Sequence, residues 1–186
     1  MKKFARLSLL ATALAAPLAH AEAVRTERNM SLELANQLAS ATIAACQAGG
    51  YAVAVTVLDR AGTVRAVQRA DNAGPHTLGA SQQKAFTSAS AKNTTTAMLE
   101  ISQKNPAVAN LGQIPGFLLL GGGVPVRVGN EVIGAIGVGG APAPHLDEQC
   151  AMAAIEKVKL HFVQLSQVRH WCAPNAQSFE RHPLKR

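Results

Sequence analysis

Ten of the chain's fifteen glycines fall within the 29 residues from Gly112 to Gly140, and they interrupt sequence that otherwise favours β-strand. Phe117 to Leu120 is an apolar run, Val124 to Val128 alternates, and Glu131 to Val138 is rich in Val and Ile. Gly129-Asn130 stands where a two-residue hairpin turn belongs. These are strands with missing side chains, not a linker. Glycine inside a strand costs backbone entropy and packs nothing, so its justification is a bulge or the close approach of another backbone or a ligand. Two readings follow: helices packed tightly on the sheet, or a ligand or subunit surface at Gly121-Gly122-Gly123.

The remaining elements follow from periodicity. Ser31 is an N-cap with Glu33 in the first turn, and Leu32, Ala35, Leu38, Ala39, Thr42, Ile43 and Cys46 form one apolar stripe ended by Gly49-Gly50. Tyr51 to Leu58 and Thr63 to Arg69 are strands joined by the turn Asp59-Arg60-Ala61-Gly62. A helix is expected from Thr77 to about Ala91, and a shorter one from Thr94 to Gln103, stopped by Asn105-Pro106. After the glycine-rich strands, Asp147-Glu148 open a long helix with the stripe Cys150, Ala151, Ala154, Ile155, Val158, Phe162 and Leu165. The order is helix, two strands, two helices, three strands, helix. Short turns between neighbouring strands make the sheet antiparallel, so the expected class is α+β, a profilin-like sandwich with a five-stranded antiparallel sheet flanked by helices.

The ends differ from the body. Lys2, Lys3 and Arg6 precede an apolar run from Leu7 to Leu18, and Ala19-His20-Ala21 has the small residues of a cleavage site, so residues 1–21 read as a secretory signal peptide. The run is short of the roughly 20 residues an anchor needs. The expectation is a periplasmic or secreted protein without a membrane span, comprising a domain over 22–168 and a basic tail over 169–186. Charge sits at the ends: residues 22–168 carry eleven basic and ten acidic residues, so the net +7 gives no reason to expect a nucleic-acid partner. Aromatics are only 4% of residues, which leaves Ala, Val, Leu and Ile to build the core. Three cysteines, Cys46, Cys150 and Cys172, permit at most one internal bridge. Cys46 and Cys150 lie on apolar stripes and read as small buried hydrophobes. If a bridge forms, it is expected to pin the tail through Cys172, with Cys46 preferred over Cys150 as its partner.

Most standard chemistry is missing. Gly121-Gly122-Gly123 is followed by Val124-Pro125 and not by the Lys-Ser/Thr of a phosphate loop, and Gly134, Gly137 and Gly139 miss the dinucleotide spacing. There is no Gly-x-Ser-x-Gly elbow and no paired-histidine metalloprotease motif, so no catalytic residue is assigned. His76, in Gly74-Pro75-His76-Thr77, places an imidazole on a rigid loop just before a helix, where Thr77 can cap and the amides can meet an anion. The plainer reading is an exposed loop histidine. Lys84, seven residues after Thr77, points broadly to the same side and is either a surface lysine or the partner of a carboxylate.

Taken in order, Asp59-Arg60-Ala61-Gly62, the stretch from Ala80 to Thr87, Gly121-Gly122-Gly123-Val124-Pro125 and Val132 to Gly140 resemble the GlcG/HbpS family of haem-binding proteins, which is also similar to the C-terminal domain of PduO. Asp147-Glu148 before a helix fits as well, and the resemblance spans about Met30 to Leu165. It implies a homo-oligomer that binds haem, with a corrinoid as the second candidate, and a role in haem sequestration, uptake or sensing. The alternative is an accessory protein or enzyme for a small hydroxy acid or related metabolite. The ligand residues expected on this basis are His76, Thr77, Lys84, Gly121, Gly122 and Gly123, with His76 the haem axial ligand by position and chemistry. Lys84, Arg65 and Arg69 are the candidate cations for the two haem carboxylates.

Overall fold

The computed structural model describes residues 25–171, with side chains described to residue 159. The expected signal peptide and all of the tail beyond Trp171, including Cys172, therefore lie outside the described residues. The elements are α1 (Leu32–Ala48), β1 (Ala54–Asp59), β2 (Val64–Arg69), α2 (His76–Ala91), α3 (Thr95–Lys104), the 3-10 helix η1 (Pro106–Gln113), β3 (Gly123–Val128), β4 (Glu131–Gly139) and α4 (Pro144–Trp171). Local signals act as expected at several ends. The Ser31 hydroxyl accepts from the Leu34 amide at 3.1 Å, and the Thr94 hydroxyl accepts from the Ala97 amide at 3.2 Å.

Among the described residues the sheet has four antiparallel strands in the order β2-β1-β4-β3, one fewer than expected. The missing strand is Phe117 to Leu120. Its apolar side chains satisfied the sequence pattern for a strand, but the Leu118 amide donates to the Thr87 hydroxyl of α2 at 2.8 Å and finds no ladder. The chain then turns through Gly121 and Gly122 into β3, which is an edge strand.

Alternation along the strands gives the sheet two unlike faces. Val53, Val55, Val57, Val124, Val126, Ile136 and Val138 pack in one core cluster with Leu38, Cys46, Cys150 and Ile155 of α1 and α4. On the other face the register places Ala54, Thr56 and Leu58 beside Gly139, Gly137 and Ala135, and Gly123 beside Gly137. α2 lies on that face, where the Thr56 and Ser81 hydroxyls share a 2.8 Å hydrogen bond. One face is thus bulky and aliphatic, and the other is nearly bare.

The disulfide differs from expectation. Cys46 and Cys150 are bridged, with their Cα atoms 5.3 Å apart, inside the ordinary range for such a bond. Their two apolar stripes, on α1 and α4, face each other across the core, so the cysteines that read as separate buried hydrophobes are neighbours. Cys172 is not a partner in this bridge.

Candidate functional site

α2 has an inner and an outer side. On the inner side, Lys84 is only 2% exposed, and its ammonium donates to Asp147 at 2.8 Å and to the Val138 carbonyl at 2.9 Å. Asp147 also accepts from the Ala141 amide at 3.0 Å, so one carboxylate ties α2, the end of β4 and the start of α4 together. Burial pushes the Asp147 carboxyl above the usual carboxylate range, while the Lys84 ammonium and the Gly140 and Ala141 amides pull the other way. Lys84 is therefore neither a surface lysine nor free for a ligand: its carboxylate partner comes from the same chain.

Thr77 is also turned inward. The helix begins one residue earlier than expected, at His76, and the Thr77 hydroxyl donates to the Gly74 carbonyl at 2.7 Å without capping the helix. Gly121, Gly122 and Gly123 are buried, and the protein's own atoms occupy the space their side chains would fill. A Cβ on Gly122 would sit 2.6 Å from the Val138 carbonyl oxygen and 2.8 Å from the Asp147 Cβ, and one on Gly121 would sit 2.6 Å from the Thr96 hydroxyl. On Gly123 it would strike the Lys84 carbonyl and the Thr95 methyl. The bare wall expected to receive a ligand is covered by α2, α3 and α4. Of the six expected ligand residues, the structure leaves only His76 facing solvent.

The outer side of α2 carries a cleft of about 410 Å³ lined by Leu58, Gly62, Gly79, Gln82, Gln83, Phe86, Pro115 and Gly116. Gly79, Gln82, Gln83 and Phe86 are spaced i, i+3, i+4 and i+7, which places them on one helix face. His76 precedes Gly79 by three residues and continues that face by one turn. At the other end the Phe86 ring is held between two turn glycines: a Cβ on Gly62 would lie 3.1 Å from it and one on Gly116 3.3 Å. Phe117 packs edge-on against the same ring, with centroids 6.1 Å apart. Val64 and Val67 of β2, beside Leu58 and Thr56 in the register, remain 43% and 47% exposed next to this rim. Sequence reading passed over this cleft because its walls come from α2, the β1–β2 turn and the Pro115-Gly116 turn, which only the fold brings together. The one legible signal was Gly79, a glycine in helical sequence.

Residues 30–156 match the family model described as haem degrading protein HbpS-like. The chain belongs to the HbpS-like family. It is 36% identical over 109 residues to protein GlcG of Escherichia coli K12, a match covering 56% of this chain and 80% of that relative. Among solved structures it is similar to a double mutant of Streptomyces reticuli HbpS, with 34% identity and a TM-score of 0.68 over 78% of this chain and 97% of that one. A PduOC:heme complex shares the fold at 24% identity and a TM-score of 0.64, over 69% of this chain and 94% of that one.

Proposed function

We propose that this HbpS-like chain is an exported haem-binding protein that holds the macrocycle on the outer face of α2, with His76 as the axial ligand. The observation that carries the reading is an exposed imidazole, its ring over Gly74, one helical turn before the α2 face that lines a cleft of about 410 Å³. That volume lies within the roughly 300–1,000 Å³ of small-molecule sites. The residues fit the chemistry of haem. Leu58, Phe86 and Pro115 offer apolar surface, Gly62, Gly79 and Gly116 leave thin walls, and His76 offers a nitrogen donor. Cations for the carboxylate edge are also near: Arg65 follows Val64 on the rim strand, and its buried Nε has no hydrogen-bond partner among the described residues. Beyond the β1–β2 turn, a second cleft of about 290 Å³ holds Lys92, while Arg25 and Arg60 in the same cleft are ion-paired with Glu27 at 2.7 and 3.2 Å. Bound haem would supply an iron centre and a strong visible chromophore; the protein's part is to orient it and shield one face.

The haem named in the PduOC complex and in the family's description supports this ligand over a corrinoid. Export is supported by the Cys46–Cys150 bridge, since disulfides persist chiefly in oxidising compartments. A homo-oligomer is supported by the apolar surface left open at Ile101, Ile114 and Leu120, each about two-fifths exposed. Among the described residues no helix is long and apolar enough to cross a membrane.

Titrating purified protein with hemin and following the Soret band tests the reading. The wild type should give a shifted, saturable band, and His76→Ala should alter its position and weaken binding at least tenfold. A wild-type spectrum indistinguishable from free hemin would sink the proposal.

A further inference from the structure

Each glycine in the chain can be asked what its missing side chain makes room for. Thirteen of the fifteen have an answer among the described residues: a positive φ, as at Gly50 and Gly129, or an atom of the protein crowding the place of the Cβ. At Gly112, in η1, a Cβ would make only an ordinary 3.7 Å contact with Leu119. Gly79 has neither. It sits in the first turns of α2 with ordinary helical geometry, it is exposed, and a Cβ there would meet nothing within 4 Å among the described residues. A glycine in a helix is less favourable than alanine by about 0.8–1.0 kcal/mol, and nothing among the described residues repays that cost. Gly79 nevertheless lies on the floor of the cleft between His76 and Phe86, with the backbone exposed to whatever enters.

We infer that Gly79 is a specificity-determining residue: it leaves the α2 backbone bare so that the flat face of a tetrapyrrole ring can lie directly on the helix. The inference rests on the haem-binding reading and adds the element that selects for a planar ligand. A Cβ or larger group at this position would lift the ring away from the helix by the thickness of a side chain, breaking contact with Leu58 and Phe86 and misaligning the iron with His76. The volume of the cleft, about 410 Å³, is that of a small-molecule site.

The test compares wild type, Gly79→Ala, Gly79→Leu and His76→Ala in titrations with hemin and with metal-free protoporphyrin IX. Melting temperature without ligand and elution on size exclusion are measured alongside. Gly79→Ala should raise the ligand-free melting temperature by about 2–4 °C, because a better helix former meets no clash. Gly79→Leu should fold and lose at least tenfold in affinity for both tetrapyrroles. His76→Ala should weaken hemin binding and leave protoporphyrin binding within about twofold. Failure of the wild type to bind either compound overturns both the haem reading and this inference. Loss of the His76 effect with the Gly79 effect intact overturns only the axial-ligand assignment. Unchanged affinity in Gly79→Leu overturns the inference, as does a lower melting temperature in Gly79→Ala, which would make the glycine structural. A smaller oligomer in Gly79→Leu with normal tetrapyrrole binding also overturns it and makes the cleft an interface between copies.

Discussion

Two sets of glycines lie on opposite sides of α2, and their neighbours differ completely. Beneath the helix, Gly137 faces the Ser81 carbonyl and the Ala85 amide, and Gly123 faces the Lys84 carbonyl, so the missing side chains let a helix backbone rest on a strand backbone. On the outer side, Gly79 faces open space and Gly62 and Gly116 face only the rim of the Phe86 ring. The same residue type therefore does two jobs. Inside, it removes bulk that would hold two of the protein's own layers apart. Outside, Gly62 and Gly116 serve turns of positive φ beside Phe86, and of the three only Gly79 leaves room that no described residue fills.

The sharpest way to break this comparison is to add bulk on the inner side. Gly137→Val should cost more than about 5 kcal/mol or prevent folding, since rigid helix backbone must move and not merely a flexible side chain; soluble yield and urea denaturation report it. A Gly137→Val protein of near-normal stability would mean that α2 does not seat on bare strand.

Removing the Cys46–Cys150 bridge, for example by Cys46→Ala with Cys150→Ala, should cost about 4 kcal/mol, because the bond closes a loop with a sequence separation of 104. The effect is read in thermal melts and should leave the cleft on the far face of the sheet able to bind hemin.

Lys84→Met should cost about 3–5 kcal/mol at pH 7, since it leaves the buried Asp147 carboxylate without its cation. The pH dependence has a definite sign. The Asp147 carboxyl is already raised by burial, and removing Lys84 raises it further. A carboxyl with a raised folded-state pKa favours the fold at low pH and loses that contribution as pH rises through its folded value. The gap in stability between wild type and Lys84→Met should therefore narrow when urea denaturation is repeated at pH 5. A gap that widens there would mean that the ammonium is not compensating a buried charge.

The smallest effects belong to the outer face, where His76→Ala and Gly79→Ala should move spectra and affinity while changing stability by no more than about 1 kcal/mol. The contrast with Gly137→Val is the comparison in its simplest form. Equal stability costs on the two sides would erase it.

Much of the fold was legible because it rests on local rules. The α1 stripe with its Ser31 cap, the β1–β2 hairpin, the Gly129-Asn130 turn and the α4 stripe each follow from period and turn chemistry, and the structure places them close to where those rules do. Phe117 to Leu120 went astray because four apolar residues satisfy a strand pattern without saying whether a partner strand exists; here the nearest acceptor is the Thr87 hydroxyl. The site was less legible. His76 drew attention as an imidazole before a helix, but Lys84 and Asp147 are 63 residues apart and their pairing leaves no trace in either local sequence.

Sequence alone determined the alternation, the caps, the turns and the density of glycine in the last strands, since each depends on residues within one or two turns of one another. It also fixed the family, through an ordered set of short strings. Only the tertiary structure decided which glycines lie under α2 and which lie open, that Cys46 meets Cys150, and that the Lys84 ammonium is spent on Asp147. The reason is that burial and pairing belong to surfaces brought together from distant parts of the chain, and a missing side chain acquires meaning only from the atom, or the empty space, on the other side of it.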